Sequence, residues 1–265
     1  MIRFIRSLLA SAVISSALAC GTAAPEIVGP RPPLPDPEGP PPAGMVLVRG
    51  GTYRIGSDAG ERDEAPAHSA VLDPFYIDVC EVTNAEFARF VAETGYAVEG
   101  PWKTYAGAGR DRHPVAAVTW SDASAYAAWA GKRLPTEHEW EAAARGGLEG
   151  ALFPNGDTLS ASDATYDFVV DETIRTTPVG TKPANGYGIH DMAGNVWEWC
   201  SDWYASDAYR RLPPNNPAGP ERGAARVMRG GSWNERSVSC RVSNRLEMTP
   251  SIIGFVFGFR CAKTP

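Results

Sequence analysis

The residues with the clearest potential for chemistry lie near the end of the chain, where a cysteine follows a carboxylate. In "RVMRGGSWNERSVSC", Cys240 stands five residues after Glu235 and beyond a Gly-Gly turn. A thiolate is a nucleophile and a ligand for soft metals, provided that its surroundings lower the pKa of the thiol. Arg236 and Arg241 are near enough in sequence to do this. The alternative is a structural cysteine, either an inert buried thiol or one half of a disulfide.

The remaining cysteines and the histidines limit the chemistry further. After the leader described below, the cysteines that remain are Cys80, Cys200, Cys240 and Cys261. Outside the cytosol four cysteines can form disulfides in three ways, and the sequence does not choose among them. For Cys240 the partners considered are Cys80 and Cys261. The four histidines show no metal-binding spacing such as H-x-x-x-H. We therefore expect no histidine-based metal centre.

The composition narrows the class of protein. The chain has 265 residues, with 25 Lys and Arg against 31 Asp and Glu, and a pI near 5.3. No cluster of Lys and Arg offers a basic stripe to phosphates, so we expect no nucleic-acid partner. Plentiful glycine (27), proline (23) and tryptophan (8) favour a loop-rich domain with aromatic packing.

The N-terminus is predicted to direct the protein out of the cytosol. Residues 1–19 have two early arginines and an apolar stretch too short to span a bilayer, as in a signal peptide. This leader ends in Ala-Leu-Ala-Cys, which resembles a bacterial lipobox and predicts lipidation of Cys20. Ala17 stands where the lipobox usually has leucine. Ordinary signal cleavage is the alternative. Residues 20–44 are rich in proline and predict an extended tether. We expect a membrane-anchored lipoprotein of the periplasm or cell surface.

The domain that must position the cysteine is predicted to span residues 45–263 and to be α+β. "MVLVRGGTYRIGS" predicts a strand, a turn and a second strand, and short strands are expected around Trp197, Val227 and Phe259. We expect few helices, small twisted antiparallel sheets and long ordered loops, which need ions or buried tryptophans to hold them.

Three helices are predicted from periodicity and capping residues. "AEFARFVAETGY" has an apolar helical face, and Gly95 is its expected end. In "TWSDASAYAAWAGKRLPTEHEWEAAARGG", Ser121 is the predicted N-cap of one helix, and Thr136 with Glu139 forms a capping box for the next.

Several long segments of the chain, in order, resemble the formylglycine-generating enzymes and the wider sulfatase-modifying-factor family. They cover about residues 45–262 and include "FYIDVCEVTNAEFARFV", "HPVAAVTWSDASAYAAWAGKRLPTEHEWEAAARGG", "NGYGIHDMAGNVWEWCSDW", "RVMRGGSW" and "GFRCA". The resemblance implies a variant of the C-type-lectin fold. It also implies a reaction, the oxidation of a sulfatase cysteine to formylglycine with oxygen and Cu(I).

The resemblance places the copper site on the opening segment. Active enzymes hold Cu(I) with two thiolates five residues apart, because this soft ion prefers thiolate ligands. In this chain the second position is Cys240, but the first is Glu235, a hard carboxylate; we therefore expect no copper. Ser232, Trp233 and Asn234 correspond to the family's substrate groove.

The resemblance also implies calcium, at a loop that precedes a predicted strand. The ligands would be the side chains of Asp191 and Glu198 with the carbonyls of Gly194 and Val196, hard oxygens that suit Ca²⁺. The alternative is a tryptophan-lined core turn with Glu198 in a salt bridge. A second, weaker calcium site would use Asp171, but Thr165 stands where an asparagine ligand is expected.

Two functions of different classes follow. The first is a non-oxidase binding or accessory domain, expected to be a monomer, that recognises a peptide, protein or glycan. The second is an enzyme, either a divergent formylglycine-generating oxidase or an oxidase that uses another metal with Glu235 as a ligand.

Overall fold

The computed structural model describes residues 30–168 and 175–265. Within these ranges the helices are α1 (Asn84–Thr94), α2 (Trp102–Ala106), α3 (Trp120–Trp129) and α4 (Glu137–Arg145), with 3-10 helices at Ala208–Arg210 and Ser237–Cys240. The strands are β1 (Met45–Val48), β2 (Gly51–Ile55), β3 (His68–Leu72), β4 (Phe75–Asp78), β5 (Trp197–Trp203), β6 (Arg226–Arg229), β7 (Leu246–Met248), β8 (Phe257–Gly258) and β9 (Ala262–Lys263). No helix in the described ranges is long and apolar enough to cross a membrane.

The described strands form three small sheets, which confirms the predicted α+β class. Their orders are β1-β4-β9, β2-β3 and β7-β6-β5-β8. The pairings are antiparallel apart from β5 with β8, which is parallel. The largest sheet carries β5 and β6, the strands that lead into and out of the candidate site.

The two N-terminal strands follow the prediction, but they do not pair with each other. β1 pairs with β4, whereas β2 pairs with β3. At the intervening turn, a Cβ on Gly50 would lie 2.9 Å from the carbonyl oxygen of Leu34 and 3.0 Å from Cβ of Pro33. The glycine therefore allows an earlier part of the chain to approach closely.

That earlier part belongs to the proline-rich segment, which was predicted to be an extended tether. Over residues 31–36 this segment is held against the domain, unlike a free tether. The Arg31 guanidinium and the Leu34 amide donate hydrogen bonds to Asp73, which lies between β3 and β4. Asp36 accepts hydrogen bonds from the Arg49 side chain and the Gly50 amide. These contacts attach the segment to the domain before β1 begins.

Capping residues explain where the long helices begin. Thr136 and Glu139 form the predicted capping box at α4. At α3 the prediction of Ser121 as N-cap is wrong, because Thr119 caps the helix. The Thr119 hydroxyl accepts a 3.1 Å hydrogen bond from the Asp122 amide. The Asp122 carboxylate in turn accepts a 2.9 Å hydrogen bond from the Thr119 amide. Both groups are buried, so an unmade bond there would be costly.

Two hydrophobic cores hold these elements. One joins α1 and α3 to β5 and β8 through aromatic side chains, with Trp199 and Phe259 fully buried. The other packs Trp140 of α4 against the N-terminal strands and β6. The loops of the candidate site lie over both cores, so their positions depend on packing far along the chain.

Candidate functional site

The segment that contains the cysteine folds as β6, a Gly-Gly turn and a 3-10 helix ending at Cys240. Gly230 and Gly231 have φ of 98° and 74°, a region that favours glycine. A Cβ on Gly231 would lie only 2.7 Å from Sγ of Cys240. The turn therefore brings the backbone directly against the thiol, and a side chain at Gly231 would clash with it.

Cys240 and Glu235 have very different surroundings. Glu235 is half-buried, and its Oε2 accepts a 3.1 Å hydrogen bond from Oγ of Ser239. Cys240 is fully buried in an apolar cluster that includes Phe153. Burial, and then the negative charge of Glu235, raises the pKa of the Cys240 thiol to about 12. Near neutral pH the thiol is protonated, so it is a poor nucleophile.

This pair of donors does not fit Cu(I). A soft two-coordinate ion prefers two thiolates, whereas the chain offers one buried cysteine and one hard carboxylate. The absence of the family's copper centre from this segment therefore stays a prediction that rests on Glu235.

None of the four described cysteines forms a disulfide. Cys80 is half-buried, and the other three are buried free thiols: Cys200, Cys240 and Cys261. Of the two structural roles considered for Cys240, the inert buried thiol agrees with the structure and the disulfide does not.

The predicted groove residues lie in the Gly-Gly segment, but one of them is a core residue. Oγ of Ser232 donates a 2.7 Å hydrogen bond to Oδ1 of Asn234. Trp233 is 1% exposed and its ring packs 5.9 Å from that of Phe255, centroid to centroid. Its carbonyl accepts a hydrogen bond from the amide of Phe168, whose side chain is exposed. Trp233 therefore packs in the core and does not present its side chain at the surface.

The predicted calcium loop lies under the same turn. Asp191, Gly194 and Asn195 all have positive φ, of 58°, 79° and 61°, so the loop is sharply folded. The Trp233 amide donates a 3.0 Å hydrogen bond to the Asn195 carbonyl. Oδ2 of Asp191 accepts a 2.7 Å hydrogen bond from the Gly180 amide. The two motifs singled out in the sequence are thus neighbours.

Glu198, the second acidic ligand expected for calcium, is engaged by the protein itself. It lies buried on β5, and its oxygens Oε2 and Oε1 accept hydrogen bonds of 2.7 Å from Nε and Nη2 of Arg260. Nε1 of Trp140 donates a further 2.7 Å bond to Oε2. The arrangement around Glu198 is that of the salt-bridged core turn considered as the alternative.

Sequence reasoning missed a third carboxylate, Glu81. It is 2% exposed; its Oε1 accepts a 3.0 Å hydrogen bond from Nδ2 of Asn195, but its Oε2 is buried with no partner among the described residues. Burial and the neighbouring charge of Asp191 raise the pKa of Glu81 well above the ordinary value. Glu81 and Asn195 are 114 positions apart, so no local pattern could have revealed the contact.

The described residues contain no group of three or more His, Cys, Asp and Glu side chains arranged to hold a metal. A cation bound near Asp191 would therefore need backbone oxygens as well, which is usual for Ca²⁺.

Asp171 and Cys20 lie outside the described residues. Thr165, at the second calcium position, is buried with its hydroxyl 2.8 Å from that of Thr177, and its carbonyl accepts a hydrogen bond from the Asn195 amide.

Comparison with known proteins identifies the family. Residues 32–265 match the sulfatase-modifying factor enzyme 1-like domain. The chain belongs to this family. It is 39% identical to a formylglycine-generating enzyme of Thermomonospora curvata, over 84% of the chain and 94% of the enzyme. It is 33% identical to a mouse protein named inactive C-alpha-formylglycine-generating enzyme 2, over 83% of the chain and 85% of that protein.

A sulfatase-modifying-factor domain also occurs within longer relatives. The chain is 40% identical to the serine/threonine-protein kinase pkn1 of Chlamydia pneumoniae, covering 83% of the chain but only 38% of the kinase. Among solved structures, PvdO from Pseudomonas aeruginosa superposes with a TM-score of 0.72 at 30% identity, over 83% of this chain and 94% of that one. The expected sulfatase-modifying-factor fold is confirmed.

Proposed function

We propose that this protein is an extracytoplasmic sulfatase-modifying-factor domain that binds a partner and does not oxidise cysteine. The observation that carries the proposal is the pair Glu235 and Cys240: a carboxylate stands at one copper-ligand position, and a single buried cysteine stands at the other. One relative is named inactive C-alpha-formylglycine-generating enzyme 2, which supports a role other than oxidation.

The partner we propose is a peptide, protein or glycan, bound by a monomer. Apolar side chains are exposed close to the Gly-Gly segment, at Phe168 beside Trp233 and at Val238 in the 3-10 helix. Exposed apolar groups on ordered loops favour contact with another molecule. The buried Trp233 and its hydrogen bond to Asn195 would hold such a surface rigid.

The alternative is a divergent oxidase, either copper-dependent or using another metal with Glu235 as a ligand. It is favoured by the 39% identity to a formylglycine-generating enzyme over nearly the whole length of that enzyme. An oxidase with the family's two-thiolate copper site would need a second cysteine at position 235, where this chain has glutamate.

We expect the purified protein to leave a sulfatase-type cysteine peptide unoxidised, because it lacks a two-thiolate copper site. The measurement is mass spectrometry of the peptide after incubation with oxygen and Cu(I), and again with Fe²⁺ or Mn²⁺. The formylglycine-generating enzyme of Thermomonospora curvata is the positive control. Catalytic turnover with any of these ions would refute the non-oxidase proposal.

We further propose that the mature protein is anchored through a lipid on Cys20, because the leader ends in Ala-Leu-Ala-Cys ahead of a proline-rich segment. The expected result is a single mature N-terminus at Cys20 carrying acyl mass, measured by mass spectrometry. An unmodified N-terminus at another residue would show ordinary signal cleavage instead.

A further inference from the structure

Two histidines that the candidate site does not use meet where β3 and α4 begin. Nε2 of His68 lies 3.1 Å from Nε2 of His138, and the centroids of the two imidazole rings are 5.3 Å apart. His138 is fully buried, whereas His68 is only half-buried. Both rings also pack against the ring of Tyr209, at centroid distances of 4.7 and 5.4 Å. The pair therefore connects the surface of the domain with its core.

The hydrogen bonds of the pair determine how many protons it can hold. Nδ1 of His68 lies 3.0 Å from the carbonyl oxygen of Pro66, which can only accept, so this nitrogen carries a hydrogen. In neutral His68 the Nε2 is then a bare acceptor, and the hydrogen between the rings belongs to Nε2 of His138. Nδ1 of His138 is left as a buried acceptor without a partner among the described residues.

A second proton cannot enter this arrangement without breaking it. On Nε2 of His68 it would face the hydrogen of His138, unless that hydrogen moved to the buried Nδ1 of His138. On Nδ1 of His138 it would create a cation in the core, close to the positive charges of Arg229 and Arg245. Burial, together with these positive charges, lowers the pKa of His138 to about 3, although Glu137 acts in the opposite direction. Acid therefore opposes the contact between the two rings.

Charged and titratable groups surround His138, on α4 itself and on the elements packed against it. They are Glu137, Glu141 and Arg145 of α4, His68 of β3, Cys200 and Asp202 of β5, Arg229 of β6, Tyr209 of the 3-10 helix Ala208–Arg210, and Arg245 ahead of β7. Glu137 is already paired with Arg245 through hydrogen bonds of 2.6 and 2.9 Å. Burial raises the pKa of Asp202 to about 7, so protonation of Asp202 in acid favours the folded state, opposite in sign to the effect of His138.

The histidine contact lies at the end of a loop that reaches the segment containing Cys240. His68 is the first residue of β3 and directly follows the loop of residues 56–67, which connects β2 to β3. Glu64 in this loop is fully buried and accepts hydrogen bonds of 2.8 and 2.7 Å from Arg241, the residue after Cys240. Movement of His68 away from α4 would therefore loosen the loop and, through Glu64, the segment containing Cys240.

We propose that His68 and His138 form an acid-sensitive latch, which holds the loop of residues 56–67 closed at neutral pH and releases it when the pair takes up a second proton. The folded protein keeps His138 neutral, whereas the unfolded chain protonates it at about pH 6.5. The latch is therefore at full strength above that pH and weakens progressively below it. This proposal does not depend on whether the protein is an oxidase.

The test is hydrogen exchange of the loop, measured by mass spectrometry at about pH 7.5 and about pH 5, with exposure times scaled for the intrinsic rate at each pH. The Ser57 amide donates a 2.9 Å hydrogen bond to the Glu64 carbonyl and reports the closed loop. In wild-type protein its protection, relative to that of α1, should fall roughly tenfold or more between the two pH values. His138→Gln should change less than about twofold, because its amide can donate to His68 but does not titrate.

Two further variants control for the substitution itself. His138→Ala removes the same titratable group without burying an amide, and should also lose the pH response. His113→Gln is the matched control, because it makes the same change at a half-buried histidine whose Nδ1 lies 3.0 Å from Oγ1 of Thr176. It should keep the wild-type response. Asp202 is unchanged in all of these proteins, so its opposite effect cancels in the comparison.

Three results would overturn the proposal. The first is a wild-type loop that is protected equally at both pH values. The second is a full pH response in either His138→Gln or His138→Ala. The third is an equal loss of protection in α1, because acid would then act on the whole fold and not on the loop. None of these results bears on the oxidation assay, so the two proposals fail separately.

Discussion

Replacement of Arg260 by methionine is expected to lower the free energy of unfolding by about 3–5 kcal/mol, because it leaves a buried carboxylate without its partner. Arg260 is fully buried and neutralises Glu198 through two hydrogen bonds of 2.7 Å. Its remaining donors satisfy the carbonyls of Asp78 and His190. The substitution would also remove a positive charge that lowers the pKa values of the neighbouring carboxylates Glu81 and Asp191. The measurement is urea denaturation at equilibrium.

A second substitution separates loss of charge balance from loss of packing. Adding Glu198→Gln to Arg260→Met should recover about 2 kcal/mol, because the amide is neutral and its oxygen can still accept the Trp140 hydrogen bond. Arg49→Met is the control for removing an exposed arginine from an ion pair, and should cost at most about 1 kcal/mol. If Arg260→Met is no more destabilising than Arg49→Met, the ion pair does not hold the site together.

Replacement of Glu235 by cysteine is expected to increase the affinity for Cu(I) by roughly two orders of magnitude, equivalent to about 3 kcal/mol. The substitution restores two thiols at the family's ligand spacing. It also removes the carboxylate, one of the two causes that raise the pKa of the Cys240 thiol. Since Cys240 is a free thiol, no disulfide has to be broken first. The measurement is anaerobic competition with a chromogenic Cu(I) chelator.

Two further variants identify the source of that gain. Glu235→Ala removes the carboxylate without adding a thiol, and should leave Cu(I) affinity near that of wild-type protein. Glu235→Cys combined with Cys240→Ser keeps a single thiol, and should lose most of the gain. Wild-type protein that binds Cu(I) as tightly as Glu235→Cys would contradict the explanation based on ligand softness. The prediction concerns copper affinity alone and does not require that the Glu235→Cys variant oxidise a peptide.

Local sequence could predict the parts of the fold that depend on interactions between residues close together along the chain. The capping box of Thr136 and Glu139 lies within three residues, so the start of α4 could be predicted and is confirmed. The start of α3 was misplaced by two residues, because both Thr119 and Ser121 are suitable caps and only the backbone conformation distinguishes them. Strand pairing was less accessible, since β1 pairs with β4 across the intervening hairpin.

The sequence by itself determined the family and the missing copper ligand, because both depend on residue identity and spacing within continuous segments. Glu235 stands five residues before Cys240 whatever the fold does. Tertiary structure decided the protonation of Cys240, the engagement of Glu198 by Arg260 and the presence of Glu81 beside the calcium loop. Each of these depends on burial or on a contact between distant parts of the chain, and the free energy of a charge is set by what surrounds it in space.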